Sequence, residues 1–207
     1  DAIDLKRTMI IVVMALIPAL LFGIYNVGYQ HFNAMGTLAD TGFFELFFYG
    51  LWRVLPMIIV SYVVGLGIEF AAAQIRGHEI NEGFLVSGLL IPMIMPINAP
   101  LWMVGVSTAF AVIIGKEIFG GTGMNIWNPA LLARAFFFFS YPSMISGDKV
   151  WIAGMPDGFS QATPLAEAAQ GLPTTYDMSS MFWGLIPGSV GETSTFCILL
   201  GAILLIA

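Results

Sequence analysis

An all-α integral membrane fold, a multi-span helical bundle containing broken or half-helices, is what this sequence predicts. Three observations predict it. Of the 207 residues, 58% are hydrophobic and 10% charged, with a mean hydropathy of +0.87, against roughly 45–50% apolar in soluble domains. The apolar residues fall into runs, several long enough to cross the ~30 Å hydrocarbon core of a bilayer. Other runs are interrupted by proline and asparagine, and irregular backbone at membrane depth persists only where protein or a cavity covers it. The whole of 1–207 is expected to be one transmembrane domain, forming one half of an inverted-repeat architecture.

The elements follow in chain order. Residues 8–25 form the first expected span, and Lys6 and Arg7 before it put its start in the cytoplasm. Residues 26–45 carry Asp40 and Glu45 and no Lys or Arg, which marks an outer loop. A second span is expected over 54–75, ending at "RGHEINE", where Arg76 again indicates the cytoplasm. The stretch "FLVSGLLIPMIMPINAP" is too short to cross before Pro96, Asn98 and Pro100 break it. A half-helix over 84–95 that turns back at Pro96 is expected, and the apolar run 101–118 then returns the chain to the cytoplasm at Lys116. Pro129, suited to a helix's first turn, opens "ALLARAFFFFSYPSMI", which is expected to cross outward. Residues 146–192 hold Asp148, Asp157, Glu167, Asp177 and Glu192 against Lys149, and are expected as an external loop region. The last run, 196–207, is short for a crossing, so the chain is expected to be part of a longer subunit.

Composition excludes several classes. The net charge of −6 comes without any basic run, which argues against a nucleic-acid partner and leaves the lipid bilayer as the first one. Cys197 is the sole cysteine and sits in an apolar run, so neither a disulfide framework nor a thiolate metal site can be built from it. His31 and His78 are separated by the second span, which argues against a shared metal. "FGGTGMNIWNP" lacks both the Lys-Ser/Thr of a phosphate-binding loop and the strand of a dinucleotide fingerprint.

Three charges fall within or at the edge of apolar segments, Arg53, Glu69 and Arg134, where an uncompensated charge costs at least ~2.5–3.5 kcal/mol. Each needs a partner. Glu69 stands among small residues in "VVGLGIEFAAAQ" and is a candidate for an ion or proton path, a packing acid being the alternative. Arg134 could hold an anionic headgroup or cofactor, or reach to the interface. Of the four consecutive aromatics, Phe136 and Phe138 could contact a flat ring, with generic packing as the alternative. The polar patch "DGFSQATP" raises the same choice between a plain connection and a covalent anchor.

"DLKRTMIIVV", "GHEINEGF", "KEIFGGTGMNIWNPALLARAF", "DGFSQATPLA" and "IPGSVGETST" occur in order along nearly the whole chain. In these blocks the sequence resembles the B-subunit family of the Na+-translocating NADH:quinone reductases, with the D subunit of the Rnf complex as a relative. The resemblance implies a subunit of a redox-driven Na+ pump in the bacterial inner membrane. It also implies FMN attached as a phosphoester to the last threonine of an Asp-x-x-Ser/Thr-Gly-Ala-Thr loop by a flavin transferase on the outer side. Asp157, Ser160, Ala162 and Thr163 match that pattern, and Gln161 stands where the family has glycine. Riboflavin, ubiquinone or menaquinone, Na+ and neighbouring membrane, flavin and iron–sulfur subunits are implied with it. Two readings without flavin remain alongside, a channel or secondary transporter built on the half-helix and Glu69, and a purely structural membrane subunit.

Overall fold

The structure is a computed structural model that describes residues 5–77, 83–145, 150–154 and 162–206. Among these residues it is helical with no strand. The first two helices, α1 (Leu5–Met35) and α2 (Phe43–Arg76), are 31 and 34 residues long, about 46 and 51 Å. The short 3₁₀ turn Leu38–Asp40 joins them. They cross antiparallel through glycine: a Cβ on Gly28 would lie 2.0 Å from the Leu46 carbonyl oxygen, and one on Gly50 would lie 1.8 Å from that of Ile24. Backbone meets backbone there, as small residues allow between helices in lipid, where close packing rather than water exclusion drives association.

Helix α2 is the post on which the next two helices hang. Helix α3 (Phe84–Ile94) is 11 residues, about 17 Å, and so covers about half of a ~30 Å hydrocarbon core. It runs antiparallel to α2: the Phe84 ring lies over Gly65, the Tyr62 hydroxyl donates to the Leu85 carbonyl at 2.6 Å, and Ser61 Oγ donates to the Gly88 carbonyl at 2.8 Å. The chain then reverses over residues 95–100. Helix α4 (Leu101–Gly115) returns along α2, past Val60 and Val64 opposite Gly105, to bring Lys116 beside Glu69. The expected half-helix is therefore α3, and the two ends of the α3–α4 hairpin lie together near the Arg76 end of α2.

Helix α5 (Pro129–Ser140) opens as Pro129 predicts, with the Asn128 side chain accepting from the Ala130 and Leu131 N–H groups. It runs back along α4, with Leu132 against Gly115, Phe136 stacked on Phe110 and Tyr141 edge-on to Trp102. The short helices α6 (Pro142–Ile145), α7 (Pro164–Ala169) and α8 (Met178–Trp183) follow. Helix α9 (Thr195–Ile206) lies along α1, where a Cβ on Gly201 would sit 2.3 Å from the Ala15 carbonyl oxygen. Val54, Met57, Ile91, Met95, Val104 and Phe137 centre the core. Phe44, Trp52, Val63 and Ile75 of α2 face outward and are exposed, as lipid-facing positions are. Three helical segments among the described residues, 7–35, Phe43–Arg76 and Leu101–Phe119, are long and apolar enough to cross a membrane.

Two expectations are corrected. Residues 26–45 are mostly helix rather than loop, since α1 continues to Met35 and α2 begins at Phe43, well before residue 54. The polar residues that end the apolar run explain this, because they point inward. Asn26 and Gln30 are buried, Asn26 Nδ2 donating to the Ile186 carbonyl at 2.9 Å and Gln30 Nε2 to Asn26 Oδ1 at 3.2 Å. Helices α7 and α8 also punctuate the region 146–192, whose composition marks it as a loop.

Candidate functional site

Thr163 is followed by Pro164, and a residue before proline is steered to extended backbone. Its φ of −72° and ψ of 155° agree, and they make it the N-cap of α7, with Oγ accepting from the Ala166 N–H at 3.2 Å. The hydroxyl keeps its own proton and a second lone pair for other partners.

That threonine stands at a cavity of about 290 Å³ whose walls include Arg134, Trp151, Ser189, Glu192 and Thr193. Arg134 reaches in from α5, and its guanidinium donates to Glu192 at 2.7 Å, while Ser189 Oγ donates to the same carboxylate oxygen. The Thr193 hydroxyl is buried and has no hydrogen-bond partner among the described residues. Residues 184–194, which supply three of these groups, are irregular yet largely buried or half-buried, Glu192 alone among them being exposed. Gly184 ends α8 at φ +90°, where a Cβ would meet Ser194, and the Gly191 N–H donates to the Met93 carbonyl at 2.8 Å. Polar backbone inside the bundle thus finds partners on α1 and α3.

On the next segment, Glu167 accepts from the Thr175 hydroxyl and, at 2.9 Å, from its N–H. These donors hold its carboxyl below the usual range. Asp177, which caps α8, is lowered likewise by Ser180. A second, apolar cavity of about 330 Å³ lies between α1, α3 and α9, lined by residues such as Ala15, Leu90, Met93 and Ile198, and shares Glu192 with the first.

The remaining sites fall elsewhere. Glu69 pairs with Lys116, both buried, and the Lys116 ammonium lies 5.8 Å from the Phe84 ring centre. Arg76 and Glu117 form a longer pair at 3.5 Å at the same end. Arg53 donates to the Tyr49 hydroxyl at 3.3 Å. Each of the three charges singled out in the sequence therefore has a partner. Phe136 has one face covered by Phe110, with ring centres 4.3 Å apart, whereas Phe138 is half-exposed. Ala162 is half-buried beside Thr163, and Asp157 and Ser160 lie outside the described residues. No group of three or more His, Cys, Asp or Glu side chains among the described residues could hold a metal ion.

Lys116 and Glu192 escaped the sequence reading as site residues. Lys116 carried a signal, since a chain that folds back at Pro96 returns it to the end of α2 where Glu69 lies. Glu192, 58 residues from Arg134, had none.

Membrane-length helices around a folded-back hairpin, with internal cavities beside the broken segments, define an α-helical membrane protein. The chain belongs to the NQR2, RnfD, RnfE family, whose sequence profile matches residues 1–207. Over its whole length it is 45% identical to the B subunit of the Na(+)-translocating NADH-quinone reductase of Chromohalobacter salexigens, covering 55% of that protein. The proteins of the same description from Pseudoalteromonas atlantica and Klebsiella pneumoniae are each 43% identical, covered to 57% and 58%. The chain thus spans a little over half the length of these curated relatives.

Proposed function

We propose that the chain is part of the membrane B subunit of a redox-driven Na+ pump that passes electrons from NADH through covalent FMN on Thr163 to quinone. The observation that carries this reading is the position of Thr163, at the mouth of a cavity that also holds the Arg134 guanidinium and a buried hydroxyl unpartnered among the described residues. A phosphoryl ester would be held there by Arg134, which would turn from Glu192 to share its charge with the ester, and by the Thr193 hydroxyl donating to an ester oxygen, while Ser189 keeps its bond to Glu192. The Thr163 oxygen, once esterified, retains a lone pair for the Ala166 N–H, so the N-cap persists. Bound there, the flavin supplies one-electron chemistry, and the chain holds and orients it.

The remaining assignments rest on the family and on placement. Residues 146–192 would form the outer face, where a flavin transferase works, with Asp157, Ser160 and Ala162 as its recognition motif and Gln161 tolerated in place of glycine. The apolar cavity beside Glu192 suits the tail of ubiquinone or menaquinone, and Arg134 and the open face of Phe138 suit a ring. Glu69 would stand on the Na+ path. Riboflavin, and the other membrane, flavin and iron–sulfur subunits, complete the complex in a bacterial inner membrane.

Mass spectrometry of the peptide covering residues 150–176, from cells that express the flavin transferase, tests the reading. An FMN adduct is expected on the wild type, absent in Thr163→Ala and retained in Ser160→Ala. An unmodified wild-type peptide overturns it.

A further inference from the structure

The five residues before the motif loop are held by parts of the chain far away in sequence. Ile152 and Ala153 are fully buried and Val150 nearly so. Their carbonyls are taken in turn: Val150 O accepts from the Asn98 backbone N–H at 3.3 Å, Ile152 O from Asn98 Nδ2 at 2.7 Å, and Ala153 O contacts His31 Nδ1 at 2.7 Å. A carbonyl only accepts, so Nδ1 carries the His31 proton. His31 is itself fixed by a parallel stack on Tyr49, with ring centres 4.1 Å apart. Gly154 follows at φ +60°, and a Cβ there would come within 3.5 Å of Arg53, Tyr49 and His31, so the backbone is seated directly on these side chains. Between the anchored carbonyls stands Trp151, which forms a wall of the cavity at Thr163.

Asn98 is at the tip of the α3–α4 hairpin, and the other end of that hairpin carries Lys116 against Glu69. We propose that Asn98 and His31 are positioning residues that set Trp151 against the cofactor in the Thr163 cavity. They thereby tie the hairpin tip to the flavin's surroundings, an inference that rests on the flavin reading above. A shift of the hairpin along α2 then moves a cavity wall, and the two sites respond to one element.

The test uses the full-length subunit in its assembled complex, with variants Asn98→Ala and His31→Leu, and His31→Asn as the conservative replacement whose amide nitrogen takes the place of Nδ1. Hydrogen exchange of the amides at 151–154 should quicken about fivefold in each of the first two, the effect of one lost hydrogen bond to a buried carbonyl, and return toward wild type in His31→Asn. The fluorescence lifetime of the covalent flavin, sensitive to a nearby indole, should change in the same variants and recover with His31→Asn. Unchanged exchange in both variants overturns the anchoring. Faster exchange with an unchanged flavin lifetime overturns the positioning role while leaving the flavin reading intact. A wild-type peptide without an adduct overturns the flavin reading and the positioning role with it, whereas exchange still decides the anchoring separately.

Discussion

Glu69→Gln leaves Lys116 without its countercharge in a place where the two side chains are 4% and 5% exposed. Removing one partner of a buried pair strands a charge, and the cost is typically ~3–5 kcal/mol. A coulombic value for two charges about 4 Å apart at an effective dielectric of about 20, ~4 kcal/mol, falls in the same range. The Phe84 ring, 5.8 Å from the ammonium, faces it with or without Glu69 and so cancels from the difference. At about 2–4 °C per kcal/mol for a chain of this size, the melting temperature should fall by roughly 6–20 °C. Tryptophan-fluorescence melting of the full-length complex in detergent reads this, with Na+-dependent turnover measured on the same samples. The double variant Glu69→Gln, Lys116→Met should regain most of the stability, because no unpaired charge is left. If Na+ dependence stays lost in the double variant, Glu69 acts on the ion itself; if it returns, the carboxylate only balances Lys116. A Glu69→Gln protein that melts with the wild type refutes the buried-pair reasoning altogether.

Gly50→Ala should destabilise by about 1–3 kcal/mol through overpacking at the α1–α2 crossing, because its Cβ would lie 1.8 Å from the Ile24 carbonyl oxygen, whereas Gly67→Ala, with nothing within 4 Å, should be neutral or mildly stabilising; melting of the two variants checks the contrast. Single cysteines placed at Gly83 and at exposed Met124 should label from the same side of the membrane, and opposite-side labelling would contradict the hairpin. The Glu167 carboxyl is depressed in the folded chain, so its bonds to Thr175 contribute fully above the ordinary value of 4.5 and are lost as pH falls through the lowered one. Acid should therefore speed proteolysis around α7 in the wild type, and Thr175→Val should show that faster cleavage already at neutral pH.

Hydropathy and the Lys/Arg distribution made the membrane class, the fold-back at Pro96 and the helix start at Pro129 legible, because each rests on a local rule that lipid enforces strongly. The helix ends near residues 26–45 were not legible, since a hydropathy run cannot tell a polar residue facing water from one, like Asn26 or Gln30, whose amide N–H donates inside the bundle. At the site, Thr163 and Arg134 could each be singled out by residue type and neighbourhood. That they share a cavity depends on residues 184–194 folding inward, and what directs that fold is a set of backbone partners on α1 and α3 that no local pattern encodes. The close approaches at Gly28, Gly50 and Gly201 were hidden for the same reason: a glycine declares its freedom, not its neighbour.

The anchoring of the hairpin tip also fixes an order of events during synthesis. Helix α3 is too short to cross by itself, and Asn98 makes its bonds to Val150 and Ile152 only when residues 150–152 are available, some fifty positions later in the chain. Membrane insertion therefore reaches α3 and α4 before their final support exists, and α2, already delivered, is the surface that must shelter them meanwhile. Ser61 and Tyr62, which receive α3 through its carbonyls at Gly88 and Leu85, are the first holds on this scaffold. Nascent chains arrested before residue 150 should accordingly carry the hairpin docked along α2 but loose at its tip, and elongation past Ala153 is the step that fastens it.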